Sequence, residues 1–237
     1  MASVQASGLR VAGFLALHDF EGLTGPMQAY KLDVAKAMLT SCHALGCHLL
    51  VLDASSHPQA SSDRADMARS LRQLAMLAIP KNIRIAYRAN PGGHSVHDFT
   101  QAWDVLCEAD MPNLGLCLDA VDVLTSASTD NDLDMLDTDR LFLVQLADHM
   151  GNQVGAFRVF PGEGEHDEAM VTFITTLHHL GYRGDYSLAV FNPDYRQMPA
   201  ASVALRARSA ALWLGQDVLQ RSVPLPNQIR LKHRLAT

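Results

Sequence analysis

The chain has 237 residues, of which 48% are hydrophobic, and this suffices for one large domain or two small ones. No apolar run approaches the ~20 residues that span a membrane. The formal net charge of −6, with basic residues scattered along the chain, argues against nucleic-acid binding. The opening residues MASVQASGLR lack the charged region and apolar core of a secretory signal, so we expect a cytoplasmic protein.

The four cysteines lie in apolar helix or strand contexts without a CxxC spacing, which predicts buried, reduced thiols. They are Cys42, Cys47, Cys107 and Cys117. A zinc site built from the segment CHALGCH is an alternative for the first two. The segment is more typical of a helix end, capped by Gly46 and followed by a strand.

Strand-like and helix-like runs alternate along the whole chain. Most strand-like runs are continuously apolar, which is typical of parallel strands buried on both faces. Repeated β-α units of this kind predict a doubly wound sheet or a (β/α) barrel, and the absence of GxGxxG and P-loop motifs disfavours nucleotide-binding versions. The predicted strands span residues 9–17, 48–54, 83–89, 114–120, 140–147 and 185–191.

Helix starts and ends are marked by local signals. Asp98 and Gln101 resemble a capping box before one helix. Asp167 is expected to cap another helix, which ends at Gly181, and residues 200–221 are predicted to form a long final helix.

Polar side chains appear where the predicted strands end. In a (β/α) barrel these carboxyl ends converge on one mouth, where active sites are built. Asp119 and Gln145 lie inside their apolar runs, which favours a functional site over ordinary polarity at strand ends. The polar residues at these ends include His18, Asp53, Arg88, Asn90, Asp119, Asp122, Gln145, Asp148, His149 and Asn192.

Several segments, in the same order along the chain, resemble the 3-dehydroshikimate dehydratases, which belong to the xylose-isomerase-like, sugar-phosphate isomerase/epimerase barrels. The similarity runs from about residue 8 to residue 215. The segments that carry it are HDFEG (18–22), GLCLDAVD (115–122), FLVQLAD (142–148), RVFPGEGEHD (158–167) and GYRGDYSLAVFNPDYR (181–196).

The resemblance implies a TIM-type (β/α) barrel of the xylose-isomerase-like superfamily, with about six parallel strands. The first predicted strand matches the third strand of the family, so two opening β-α units have no counterpart. We therefore expect one N-terminally incomplete barrel domain over residues 1–221 and a C-terminal tail over 222–237.

The resemblance also implies a divalent metal (Mg, Mn or Co) at the mouth, held by Glu, Asp, Gln and Glu ligands. Such an ion stabilises the enolate that forms when a proton leaves the carbon beside a carbonyl. Asp119 and Gln145 match two of these ligands, whereas Arg88 and Ala189 stand at the two glutamate positions. Two lost carboxylates and a permanent positive charge predict weak or absent metal binding.

The substrate implied by the resemblance is a small polar carbonyl, hydroxy-acid or sugar-like molecule. Arg158, which precedes the PGEG turn, matches a basic substrate-contacting residue of the family, although a surface role is an equal alternative. His18 and Arg88 are further candidates for substrate binding. The candidates for proton transfer are His94, His97 and His149.

Three functional hypotheses follow. The chain is a metal-dependent lyase or isomerase with altered ligands, a barrel that has lost metal catalysis and serves as a binding or regulatory protein, or a subunit completed by a partner chain. Without two strands, the first and last strands would have open edges, so we expect self-association into a homo-oligomer. We also expect Arg88 to hydrogen-bond Asp119, with Gln145 accepting a further bond and Ala189 providing room.

Overall fold

The computed structural model describes residues 2–126, 130–151 and 157–220. Six parallel strands form a curled half-barrel, and their order in the sheet is also their order along the chain. This confirms the predicted TIM-type sheet. The six are β1 (Phe14–His18), β2 (Leu49–Asp53), β3 (Arg84–Arg88), β4 (Leu114–Asp119), β5 (Leu141–Leu146) and β8 (Asp185–Leu188), and β6 (Asp148–His149) pairs antiparallel with β7 (Arg158–Val159) in a separate ribbon.

Helices fill the crossovers between the strands, and the helix over Ala200–Leu212 continues into a π-helical turn at Trp213–Val218. The helices are α1 (Ala2–Ala6), α2 (Gly25–Ala44), α3 (Arg64–Ala78), α4 (Phe99–Ala109), α5 (Ala120–Thr125), α6 (Asp167–His179) and α7 (Ala200–Leu212). The predicted final helix of 200–221 is therefore too long, and residues 221–237, which include the predicted tail, lie outside the described residues.

The predicted caps have mixed outcomes. Asp98 caps α4 by accepting the N–H groups of Thr100 and Gln101, as expected. The cap predicted at Asp167 is wrong, because α6 begins at that residue and follows His166, whose side chain makes no cap hydrogen bond. A buried carboxylate from another segment, that of Asp148, accepts the His166 N–H at 3.3 Å and sets where the helix starts.

All six strands of the sheet are shorter than predicted, and the first and the last are shortened most. β1 begins at Phe14, and the residues before it lie beyond the sheet, where Arg10 forms an ion pair with Asp185 at 3.0 Å. β8 ends at Leu188, so Ala189 lies directly after the strand and is buried. The apolar residues of this segment continue beyond Leu188, the last residue of β8 that pairs with β5. Apolarity alone therefore does not show where the strand ends.

The sheet has an apolar layer on each face, because side chains alternate along a strand. The larger layer packs against the helices and includes Leu50, Leu52, Ile85 and Tyr87. The smaller layer contains Leu49, Val51, Ala86, Cys117, Phe142 and Leu143. By the same alternation, the side chains of Asp53, Arg88 and Asp119 extend from the smaller layer's face at the carboxyl ends of their strands. These polar groups are therefore placed together at the mouth.

Three of the four cysteines are buried, and Cys107 is exposed on the outer side of α4, where the prediction of a buried thiol is wrong. The structure does not support the alternative zinc site, because His43 and His48 are exposed while the neighbouring thiols are buried. Within residues 2–126, 130–151 and 157–220, no three histidine, cysteine, aspartate or glutamate side chains are arranged so that they could hold a metal ion. In the same part of the chain, no helix has the length and apolarity needed to cross a bilayer.

Candidate functional site

A pocket of about 350 Å³ opens at the carboxyl ends of the strands. It brings together the three residues that the sequence predicts to bind substrate: His18, Arg88 and Arg158. Neighbouring residues complete its wall, namely Asp53, Ala89, Asn90, Pro91, Asp122 and Phe191. The predicted convergence of polar residues on one mouth is therefore present in the fold.

Arg88 is held chiefly by Asp53, its neighbour in register on β2. Its Nε and Nη2 donate to the two carboxylate oxygens of Asp53, each at 2.8 Å. The same carboxylate lies 3.0 Å from His18 Nδ1, so three adjacent strand ends are linked side by side. A bidentate arrangement of this kind fixes both the position and the orientation of a guanidinium.

The expected partner of Arg88 was Asp119, and this part of the prediction is wrong. Arg88 Nη1 lies 3.6 Å from Asp119 Oδ2 without a hydrogen bond, because Asp53 lies directly opposite Arg88 in the sheet register. The second part is confirmed, since Nη1 donates to Gln145 Oε1. Gln145 is fully buried, and its Nε2 has no hydrogen-bond partner within the described residues.

Arg158 reaches the mouth from β7 and takes the place at Asp119 that was expected for Arg88. Its Nη1 donates to Asp119 Oδ2 at 2.7 Å, and its Nη2 donates to Asp122 Oδ1 at 3.0 Å. Its backbone carbonyl accepts from Asn192 Nδ2 at 3.1 Å, which anchors the ribbon to the turn after β8. The surface role considered for Arg158 does not hold, because only 11% of its side chain is exposed.

Asp119 also organises the backbone at the end of β4. Its Oδ1 accepts the N–H groups of Val121 at 3.1 Å and Asp122 at 3.4 Å, which caps α5. Its second oxygen is taken by Arg158. Both carboxylate oxygens of this buried side chain are therefore engaged by groups of the chain itself.

The mouth combines two guanidiniums with three carboxylates. Burial, followed by the charge of Asp119, raises the pKa of Asp122 to about 7, while Arg158 and Arg88 act in the opposite direction. Asp122 lines the pocket, and its ordinary pKa would leave it fully ionised near neutrality. The excess negative charge is thus concentrated on a group that exchanges a proton near pH 7.

The three histidines predicted to transfer protons are not brought together. His94 and His97 are exposed in the segment after β3, and neither lines the mouth pocket. His149 is buried in β6, where its ring centroid lies 3.9 Å from that of His166 and its Nδ1 lies 3.0 Å from the Gly151 carbonyl oxygen. A role for them in proton transfer stays a prediction.

A second polar network lies beneath the ends of β1 and β2, within the HDFEG segment. Glu21 is 1% exposed, and its Oε1 accepts the Ser55 N–H and the Tyr87 hydroxyl, the latter at 3.0 Å. Its Oε2 has no hydrogen-bond partner in the described part of the chain. Burial raises the pKa of Glu21, so a protonated carboxyl is favoured there.

Sequence reasoning did not assign roles to Asp53 and Asp122. The sequence did contain a signal for Asp53. This residue lies at the end of the predicted strand next to that of Arg88, and side chains on neighbouring strands can reach each other. The pairing of Asp122 with Arg158 had no local signal, since 36 positions separate them along the chain.

Sequence comparison gives relatives of two kinds. The 3-dehydroshikimate dehydratase of Pseudomonas aeruginosa is 32% identical over 226 residues, which are 92% of this chain and 35% of that protein. The inosose isomerase of Bacillus licheniformis is 25% identical over 187 residues, which are 75% of this chain and 66% of that protein. The chain therefore spans about a third of the length of the dehydratase that it matches.

Solved structures share this architecture. A xylose isomerase-like TIM barrel/4-hydroxyphenylpyruvate dioxygenase fusion protein superposes with a TM-score of 0.84 at 29% identity, covering 92% of this chain and 36% of that one. An IOLI protein with a bound zinc atom superposes with a TM-score of 0.77 at 21% identity, covering 87% of this chain and 77% of that one. A family profile described as a xylose isomerase-like TIM barrel matches residues 2–215. Together with the curled parallel sheet and its polar mouth, this match shows that the chain belongs to the xylose isomerase-like TIM barrel family.

Proposed function

We propose that the mouth binds a small polar carbonyl, hydroxy-acid or sugar-like molecule without a resident metal ion, so that the chain serves as a binding or regulatory barrel. The observation that carries this proposal is the occupation of the candidate metal ligands by arginine. Asp119 Oδ2 accepts from Arg158, and Gln145 Oε1 accepts from Arg88. A cytoplasmic location is part of the same proposal.

The donor set does not fit a divalent cation. Hard cations need oxygen ligands with free lone pairs and net negative charge around the ion. Here two guanidiniums, which remain charged at all physiological pH values, already offset two of the three nearby carboxylates. The fourth family position is Ala189, whose methyl group offers no ligand. An ion would have to displace two largely buried arginines, with Arg158 11% and Arg88 19% exposed, from their hydrogen bonds.

The pocket itself suits a polar ligand of modest size. Its walls carry an exposed imidazole, two guanidiniums and the amide of Asn90 in about 350 Å³. Small-molecule sites commonly combine such a volume with a few convergent polar groups. The names of the relatives, a dehydratase of 3-dehydroshikimate and an isomerase of inosose, point to small oxygen-rich carbonyl compounds.

Calorimetric titration with 3-dehydroshikimate and with inosose tests the proposal. We expect binding whose Kd is the same within about twofold in EDTA and in Mn²⁺, with no turnover in either buffer. Arg158→Ala should weaken binding about tenfold or more, because a charge-assisted contact is lost. The matched control is Arg206→Ala on α7, whose partner is Glu163 at 3.1 Å and which does not line the mouth. Binding or turnover that requires Mn²⁺ would overturn the proposal.

A second candidate is a metal-dependent lyase or isomerase that works with altered ligands. Asp119 and Gln145 are direct neighbours in register, as two ligands of one ion would be. Loss of 3-dehydroshikimate with formation of a dehydrated product, only in the presence of Mg²⁺, Mn²⁺ or Co²⁺, would establish this candidate.

A further inference from the structure

The two guanidiniums at the mouth already have carboxylate partners. Arg158 donates from Nη1 to Asp119 at 2.7 Å and from Nη2 to Asp122 at 3.0 Å. Arg88 donates from Nε and Nη2 to both oxygens of Asp53, each at 2.8 Å. Paired N–H groups of this kind are what an arginine offers to the carboxylate of a ligand. A ligand carboxylate therefore meets arginines whose paired donors are in use.

The wall of the pocket has more carboxylates than guanidiniums around it. Three carboxylates face two guanidiniums there, and two of the carboxylates, Asp53 and Asp122, line the pocket itself. His18, the remaining basic side chain among the described residues of the wall, has its Nδ1 3.0 Å from an oxygen of Asp53. Placing like charges next to each other costs binding free energy, and a desolvated carboxylate without a cation is unfavourable. The wall thus disfavours a ligand that brings a further carboxylate.

Asp122 is the carboxylate with which a charged ligand would compete most directly. It lies in the first turn of α5 and lines the pocket, and 18% of its side chain is exposed. A ligand carboxylate that takes Arg158 Nη2 must displace Asp122, which then stays next to Asp119 without that cation. A ligand hydroxyl avoids this cost, because an ionised carboxylate has about four acceptor sites and can accept from a hydroxyl while it stays paired with arginine.

We propose that the mouth selects uncharged polyhydroxy carbonyl compounds over those that carry a carboxylate, and that Asp122 sets this preference. The inference rests on the proposed function, which is the binding of small polar carbonyl compounds in this pocket. It separates the compounds named for the two relatives, because inosose is an uncharged cyclic ketone with several hydroxyls, whereas 3-dehydroshikimate carries a carboxylate. Inosose represents the preferred class.

The test compares a carboxylate ligand with a neutral ligand of the same shape. The unaltered chain is titrated calorimetrically with 3-dehydroshikimate, with its primary carboxamide and with inosose. The buffer is at pH 8, where Asp122, with a pKa of about 7, is mostly ionised. We expect the carboxamide and inosose each to bind at least about tenfold more tightly than the acid.

The variant Asp122→Asn isolates the residue responsible. Asparagine has nearly the shape of aspartate but no charge, so Arg158 Nη2 becomes available to a ligand carboxylate. The variant should bind 3-dehydroshikimate at least about threefold more tightly than the unaltered chain does, while the Kd of the carboxamide changes by less than about twofold. Asp104→Asn is the matched control, because Asp104 is exposed on α4, pairs with Arg64 and does not line the mouth. It should leave both affinities unchanged.

The outcomes separate this inference from the proposed function. Equal affinities for the acid and the carboxamide, or tighter binding of the acid, would overturn the inference and leave the proposed function in place. An unchanged ratio of the two affinities in Asp122→Asn would overturn the role of Asp122. If none of the three ligands binds, the proposed function fails, and the inference fails with it.

Discussion

Arg88 on β3 and Asp53 on β2 form a bidentate ion pair across neighbouring strands, with two N–H···O distances of 2.8 Å. Only 9% of the Asp53 side chain and 19% of the Arg88 side chain are exposed. Arg88 stands where the family resemblance places a metal-binding glutamate. The pair therefore links two neighbouring strand ends at the mouth.

Arg88→Ala should destabilise the fold, because it leaves Asp53 buried without its main cation. Breaking a buried pair in this way costs about 3–5 kcal/mol, and partial exposure of Arg88 reduces the expected loss to roughly 2–4 kcal/mol. Urea denaturation measures the free energy of unfolding. Arg84→Ala on the same strand is the control, since Arg84 is exposed and contacts the Phe142 ring, and it should cost less than about 1 kcal/mol. Equal losses in the two variants would contradict the prediction.

The purified and dialysed protein should carry no stoichiometric Mg, Mn or Co, because arginines occupy the candidate ligands Asp119 and Gln145. Elemental analysis by mass spectrometry measures this directly. One metal per chain, lost on Asp119→Asn, would show that the prediction is wrong.

The double variant Arg88→Glu with Ala189→Glu should gain affinity for Mn²⁺, since it restores two carboxylates and removes one cation from the mouth. Calorimetric titration with MnCl₂ compares it with the unaltered chain. Adding Asp119→Asn to the double variant is the control and should remove the gain. If the double variant binds Mn²⁺ no better than the unaltered chain, substitutions at these two positions do not create a metal site and the prediction is wrong.

Glu21→Gln should become increasingly stabilising as the pH rises. Burial raises the pKa of Glu21 above its unfolded value, so its contribution to stability is fully present below the unfolded pKa and is lost as the pH rises through the folded one. The glutamine side chain of the variant would still accept from Ser55 and Tyr87 without carrying a charge. We expect the difference in the free energy of unfolding to grow from pH 4 to pH 8, reaching about 1–2 kcal/mol.

The control for this pH series is Glu108→Gln, because Glu108 is exposed on α4. Its unfolding free energy should run parallel to that of the unaltered chain at every pH. A Glu21→Gln curve that also runs parallel would mean that Glu21 is not protonated preferentially in the folded state.

The edge strand β1 should support self-association. Within the described residues it pairs with β2 on one side, and Leu15 on it is 43% exposed. Open apolar strand edges pair with other chains, and a lysine on the edge opposes this. Analytical ultracentrifugation should show mass rising with concentration, and Leu15→Lys should shift the protein toward monomer. Met76→Lys, at an exposed position on α3, is the matched control and should leave the distribution unchanged.

Much of the fold could be predicted from local sequence patterns. Continuous apolar runs indicated six parallel strands, although the edge strands β1 and β8 are only partly buried. The turn-forming Gly46 marked the end of one helix, and Asp98 marked the start of another. These features depend on hydrophobic periodicity and on hydrogen bonds between residues close in sequence. The sequence also predicted that polar groups gather at one mouth, because the carboxyl ends of parallel strands meet there.

The tertiary structure decided which charged groups pair. Arg88 and Asp53 are 35 positions apart, and Arg158 and Asp119 are 39 apart, so their contacts depend on strand register and on the ribbon that returns β7 to the mouth. The sequence analysis named Arg88 as the hydrogen-bond partner of Asp119, whereas Arg158 takes that place. The choice is made by geometry, since a guanidinium binds the carboxylate that it meets in plane and at hydrogen-bond distance.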